Sequence, residues 1–184
     1  MAEGIDGLSQ VVSRIGRMAT DIKRPEHALK AAGEYLVGSV KRTILAGGRP
    51  KPFTPLAAST IAARRKGKGR GGAKPLMNFG NLLASIGEEP VSSGGDAGVM
   101  VGTNYGKLPK GGSIAATLHF GGRGPYTIAA KNAKALAFMG ADGGKVFRRS
   151  VTHPPLPPRP FMVFQLPEDE IAVGKIFEQH LARK

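Results

Sequence analysis

The sequence predicts an α+β fold in which a small, mainly antiparallel sheet is flanked by N-terminal and C-terminal helices and carries long Gly/Pro-rich loops or arms. Apolar residues recur at helical spacing near both ends, short apolar runs separated by turn residues lie between them, and 27 glycines and 14 prolines interrupt the rest. A length of 184 residues predicts a single domain over 1–184. With 8 Phe, 3 Tyr and no Trp, a large helical bundle is not expected.

Two helices are predicted at the N-terminal end. The first covers Leu8 to Ile22, where apolar residues repeat at helical spacing. The second begins at Pro25, because the missing N–H of proline costs nothing in a first helical turn, and it ends at Gly47 and Gly48. Since the apolar faces of both helices are rich in alanine, we expect them to pack on a sheet.

Residues 47–75 are predicted to form a basic, flexible loop with eight Lys or Arg residues and no acid. A short helix inside the loop is expected to be capped by Thr54, to start at Pro55 and to end at Arg64. Beyond it, cationic side chains alternate with glycines. We expect these side chains to be solvated or paired with phosphate: Arg64, Arg65, Lys66, Lys68 and Arg70.

The middle of the chain predicts hairpins. Residues 76–86 fit a short helix or turn that leads into a strand, and strands at 91–93 and 98–101 form a first hairpin. Residues 114–120 fit either a helix or a strand, with a helix favoured by the glycine pair that follows.

A second hairpin joins strands at 134–139 and 145–151 through Asp142 and Gly143. Its second strand carries Lys145, Arg148 and Arg149.

The C-terminal part predicts an extended arm and a helix. Five prolines within 152–161 favour an extended arm that ends in Arg159-Pro160-Phe161. Arg159 is equally expected to form a salt bridge within the chain or an inter-subunit contact. Phe161 is expected to fill a pocket near the last helix or to take part in the same inter-subunit contact. The last helix begins at Pro167, and its acidic first turn and basic end match the helix dipole.

The net charge of +14 indicates an anionic partner, with plain solubility as the alternative. Two segments, 47–75 and 124–166, hold nearly all of the excess. Neither segment has interleaved aromatic residues, and the chain has no zinc-finger or RNA-recognition signature, so sequence-specific readout is not expected. The partner is therefore the phosphate backbone of DNA or the acidic surface of another protein.

Enzyme, metal and membrane functions find no support in the sequence. The chain has no Cys, its four His are scattered, and the glycine-rich run 67–72 lacks the Lys-Ser/Thr that ends a phosphate-binding loop. No run approaches the roughly 20 apolar residues of a membrane span. We expect a soluble intracellular protein that is not an enzyme and has no cofactor.

Five short motifs occur in an order that resembles the phage virion morphogenesis (tail completion) family. They span most of residues 25–184, and each of them alone is weak. The motifs are Gly48-Arg49-Pro50 through Phe53-Thr54-Pro55-Leu56 with Ser59-Thr60, Leu76 through Ile86 (LMNFGNLLASI), Val101-Gly102-Thr103-Asn104, Leu118-His119-Phe120-Gly121-Gly122, and Arg159-Pro160-Phe161.

The resemblance implies a structural neck protein of a tailed phage, present in the virion and assembled in the host cytoplasm. Such a protein caps the tail tube and joins tail to head as a ring, with sixfold symmetry expected from the tail. Its implied partners are further copies of itself, the tail tube protein and a head-side connector or stopper protein. The two basic segments then face either the DNA that traverses the ring or acidic neighbours. A free, nonspecific nucleic-acid-binding protein is the alternative.

Overall fold

The structure is a computed structural model of the chain, and it describes residues 25–93, 96–107, 112–122, 124–140, 142–164 and 166–182. The fold is α+β, as the sequence predicts, with helices towards both ends and short antiparallel strands between them. The predicted helix at Leu8 to Ile22 lies outside the described residues.

The described helices and strands follow one another with short loops between most of them. In chain order they are α1 Glu26–Ala46, α2 Ala58–Ala63 followed by a kinked turn Arg64–Lys68, α3 Asn81–Ala84, β1 Ile86–Ser93, β2 Asp96–Thr103, α4 Ile114–Phe120, β3 Tyr126–Ala129, β4 Leu136–Met139, β5 Lys145–Arg148, β6 Ser150–His153 and α5 Pro167–Ala182.

Helix α1 confirms the second predicted helix. It ends where Gly47 and Gly48 adopt φ values of 83° and 118°, which favour glycine. At Gly48 a side chain would also collide with the backbone of the loop that turns back towards Phe53. The buried face of α1 includes Val40 and Ile44, so this helix supplies core contacts with small and branched side chains.

The chain divides into two compact units. Among the described residues, unit one contains 25–39, 87–93, 96–102, 164 and 166–182. Unit two contains the described parts of 40–86 and 103–163.

In unit one, the start of α1 packs against α5. The hydroxyl of Ser39 donates to Oδ2 of Asp169 at 2.8 Å, and the hydroxyl of Tyr35 lies 3.5 Å from the carbonyl oxygen of Glu168. Strands β1 and β2 pair with each other, which confirms the first predicted hairpin and extends it at both ends.

In unit two, the strands form two separate two-stranded ladders. Strand β4 pairs with β5, with Leu136 opposite Arg148, and this confirms the second predicted hairpin. Strand β3, which the sequence analysis did not predict, pairs with β6, with Tyr126 opposite His153. The predicted strand 145–151 is therefore two strands, because the chain bends at Arg149 and passes to a different partner.

The N-terminal ends of α2 and α4 differ in how they are capped. Helix α2 begins at Ala58 with Ala57 as its N-cap, so the expected cap at Thr54 is wrong: no side chain caps this helix. Residues 114–120 form a helix, α4, whose N-cap Ser113 accepts a hydrogen bond from Ala115 N at 3.1 Å.

Candidate functional site

Three of the five sequence motifs meet in unit two through Arg159. Its side chain is 4% exposed and donates from Nε to the carbonyl oxygen of Thr54 at 2.9 Å and from Nη2 to that of Pro55 at 3.1 Å. The backbone N of Arg159 donates to the carbonyl oxygen of Leu118 at 3.0 Å. The planar guanidinium thus joins the last motif, at Arg159, to the first motif, at Thr54 and Pro55. The backbone of Arg159 joins the last motif to the fourth, at Leu118.

Phe161 packs beside Arg159 in the same unit. Its ring is 1% exposed and meets His119 edge-on at 5.3 Å between centroids. Met162 N donates to Nδ1 of His119 at 3.4 Å, which requires an unprotonated Nδ1, and burial lowers the pKa of His119. His119 is therefore a neutral, packed residue of α4.

Both Arg159 and Phe161 are buried by contacts within one chain. Their expected inter-subunit role stays a prediction. The salt bridge expected for Arg159 is replaced by hydrogen bonds to carbonyl oxygens.

Polar contacts also connect the second and third motifs to each other and the fourth motif to the proline arm. The hydroxyls of Ser85 and Thr103 lie 2.7 Å apart, which connects the second motif to the third. Gly122 N donates to the carbonyl oxygen of Leu156 at 2.9 Å, so the glycine pair after α4 holds the proline arm. At Gly121, with φ of 87°, a side chain would press on Leu156 and Pro158.

Within the basic loop, Arg64 has a structural position that the sequence analysis did not anticipate. Its Nη1 donates to the carbonyl oxygens of Gly72 at 3.1 Å and Lys74 at 2.8 Å, and partial burial lowers its pKa. Arg70 N also donates to the carbonyl oxygen of Asn78 at 3.0 Å. The loop is folded back on itself, and Arg64 is half-buried rather than solvated.

The structure brings together the two basic segments that lie far apart in the sequence. Nζ of Lys66 donates to the carbonyl oxygen of Gly143, in the β4–β5 turn, at 2.6 Å. The exposed cations of the two segments that this bond connects are called the cationic patch: Arg65, Lys66, Arg70, Lys145, Arg148 and Arg149. Lys68 belongs to the same turn, and its side chain lies outside the described part of the structure.

Unit two has far fewer acidic than basic residues, so its positive charge is not neutralised within the unit. Residues 40–86 and 103–163 contain nineteen Lys or Arg and one acid, Asp142. Asp142 caps its own turn by accepting a hydrogen bond from Gly144 N at 3.0 Å. Unit two therefore presents a strong positive field, which favours an anionic partner.

An apolar groove lies in the same unit and was not predicted. It has a volume of about 1040 Å³ and is bordered by α2, β4, β6 and the proline arm. Apolar side chains such as Leu56, Phe79 and Leu118 form much of its wall. The charged Lys and Arg side chains among its lining residues are Arg64 and Arg159.

Other candidate chemistry is limited in the described residues. They hold no group of three or more His, Asp or Glu side chains placed to bind a metal ion. His27 and His180 lie 6.4 Å apart in unit one, and His153 stacks on Tyr126 at 5.1 Å. None of the described helices combines the length and apolar character that a membrane span needs.

Comparison with known proteins gives no relative: no family model, no curated protein and no solved structure matches the chain.

Proposed function

We propose that the chain is a structural neck protein of a tailed phage, a tail-completion or tail-terminator component that caps the tail tube and joins tail to head. In this proposal several copies, preferably six, close a ring around the DNA passage. The tail tube protein lies on one side and a head-side connector or stopper protein on the other. The protein is not an enzyme and uses no cofactor.

The observation that carries the proposal is that the ordered motifs are neighbours in space. Arg159 links the first, fourth and fifth motifs, and Ser85 links the second to the third. Motifs that are each weak in sequence thus form two groups of neighbours, one of three motifs and one of two. Contacts between motifs are what a shared fold requires, since they leave the loops between the motifs free to vary.

The cationic patch supports a position beside DNA. Its arginines and lysines extend from a turn and a hairpin, and within 65–70 and 145–149 Phe147 is the one exposed aromatic residue between them in the sequence. Contacts of this kind bind phosphate without reading sequence, and they weaken with salt. Repeated around a ring, the patch would line a passage that DNA traverses.

The test is particle assembly in the phage or prophage that encodes the chain. Without the protein, electron microscopy is expected to reveal filled heads and unattached tails, and the intact gene restores complete particles. Accumulation of complete, infectious particles without the protein would contradict the proposal.

A matched pair of variants tests the patch within this assay. Serine at all six patch positions is expected to reduce complete particles at least tenfold. The control replaces six exposed lysines outside the patch and removes the same charge: Lys30, Lys51, Lys74, Lys131, Lys134 and Lys175. An equal defect in both variants would assign the effect to net charge rather than to the patch.

The second candidate, a free nonspecific nucleic-acid-binding protein, is favoured by the charge of unit two alone. It predicts tight duplex binding by the isolated monomer, whereas the neck proposal predicts weak binding by the monomer. Measuring duplex affinity against salt separates the two, because each phosphate contact contributes a slope of about −0.9 in log K against log salt.

A further inference from the structure

One face of the β1–β2 hairpin is covered by α1. The two strands lie against the helix at Gly33, where an added methyl group would stand 2.7 Å from Cγ2 of Val99 and 3.0 Å from Cγ of Glu88. Residues alternate between the two faces of a strand. Glu89 and Val91 therefore lie on the face that points away from α1.

The outward face of this hairpin is acidic and apolar. A methyl group at Gly98 would lie 3.2 Å from Cγ2 of Val91, so Gly98 shares the outward face, and strand alternation adds Asp96 and Met100 to it. Val91 is 41% exposed and Met100 is 54% exposed, while Glu89 and Asp96 are also exposed. Residues 87–102 contain three acids and no Lys or Arg.

The groove of unit two has the complementary character. Its wall is mainly apolar, and Phe79 on that wall is 58% exposed. Arg64 and Arg159 both line it, and burial followed by the positive charge of Arg64 lowers the pKa of Arg159. The positive charges of Arg64 and Arg159 repel each other, and a carboxylate placed at the groove would reduce this repulsion. The one acid of unit two, Asp142, is exposed in the β4–β5 turn.

We propose that the outward face of the β1–β2 hairpin of one copy docks in the unit-two groove of a second copy. The carboxylates of Glu89 and Asp96 accept hydrogen bonds from the guanidinium of Arg64, which is half-buried at the groove, and Val91 and Met100 cover the apolar wall. The contact is heterologous, so it joins copies head to tail, and it supplies the lateral interface of the proposed ring, on which this inference rests.

The distribution of charge favours a second copy over DNA as the occupant. Among the described residues, unit one has nine acids and two basic residues, whereas unit two has one acid and seventeen basic residues. Neighbouring copies that met through unit two alone would repel each other, whereas contact between unlike units is attractive. A phosphate backbone also lacks the apolar surface needed to cover residues such as Leu56 and Leu118.

Cross-linking tests this contact directly, because the chain has no natural cysteine. Met100→Cys and Phe79→Cys are prepared as separate full-length variants, mixed, and treated with a short bismaleimide. The covalent heterodimer is expected at about 0.05 M salt and at least tenfold less of it at about 0.5 M, because screening weakens the charged contact. The control pairs Met100→Cys with Phe147→Cys, which is similarly exposed but lies outside the groove.

Charge reversal supplies the second arm. Adding Glu89→Lys and Asp96→Lys to the Met100→Cys variant should reduce the heterodimer to the Phe147→Cys level, whereas Glu26→Lys with Glu178→Lys, at exposed sites elsewhere in unit one, should preserve it. Two results would overturn the inference. One is a heterodimer yield with Phe79→Cys that equals the yield with Phe147→Cys, and the other is a yield that charge reversal at Glu89 and Asp96 leaves unchanged. Loss of the cross-link on adding a short DNA duplex would instead assign the groove to nucleic acid.

The outcome is independent of the particle assay. A heterodimer combined with normal assembly in the deletion strain would reject the neck function and leave the contact standing. An assembly defect without the heterodimer would reject this contact alone.

Discussion

The hydroxyl of Ser39 donates a 2.8 Å hydrogen bond to the carboxylate of Asp169, and both side chains are buried. Asp169 lies in the first turn of α5, where a negative charge is favoured by the helix dipole. Its second oxygen, Oδ1, has no hydrogen-bond partner. The single bond from Ser39 is therefore an important polar link between α1 and α5 in unit one.

Ser39→Ala is expected to lower the free energy of unfolding by about 1–3 kcal/mol, because it removes a hydrogen bond from a buried carboxylate. Urea unfolding followed by circular dichroism measures the change. Ser93→Ala, at an exposed position of β1, is the matched control. Equal stability of the two variants would mean that the Ser39 bond contributes nothing measurable.

Arg159→Lys tests the guanidinium contacts within unit two. Lysine keeps the charge but cannot donate to the carbonyl oxygens of Thr54 and Pro55 in the same fork geometry. We expect a loss of about 1–3 kcal/mol in the free energy of unfolding. Hydrogen exchange should also become faster in residues 53–60. Arg148→Lys, on an exposed strand, should change neither quantity.

Arg64 and Arg65 are adjacent but are expected to respond differently to substitution. Arg64→Ser removes two hydrogen bonds to the loop carbonyls and should cost about 1–3 kcal/mol, whereas exposed Arg65→Ser should stay within about 0.5 kcal/mol. Thermal unfolding of the two variants decides this. If both are neutral, the loop does not depend on Arg64 for its conformation.

His119 predicts a pH dependence of stability. Burial lowers its pKa from 6.5, so the unfolded chain binds more protons than the folded chain as the pH falls below that value. The His119 contribution is therefore lost as the pH falls through 6.5 towards the lower folded pKa. His119→Gln should reduce the decrease in unfolding midpoint between about pH 7 and pH 5, and exposed His27→Gln should retain it. The same slope in all three proteins would rule out this role for His119.

Helix and hairpin signals in the sequence were sufficient to predict much of the local structure. The proline before α1, the glycines after it and the acidic first turn of α5 marked helix ends that depend on local chemistry. The Asp142–Gly143 turn marked β4 and β5 for the same reason. Strand β3 was not predicted because its pairing with β6 joins residues more than 20 positions apart, and no local pattern encodes that distance.

The candidate site was predictable in composition but not in contacts. The two basic segments were recognised from their charge, yet the Lys66–Gly143 bond that joins them depends on tertiary structure. Arg159 offered sequence signals for a salt bridge or an inter-subunit contact. The acceptors that it uses are backbone carbonyl oxygens, which every sequence contains and no sequence marks.

An image of the neck of completed particles by electron cryo-microscopy tests the central proposal most directly. The expected result is a closed ring of this chain at the head–tail junction, with the six side chains of the cationic patch facing the DNA passage. Complete particles whose neck contains no copy of the chain would contradict the account.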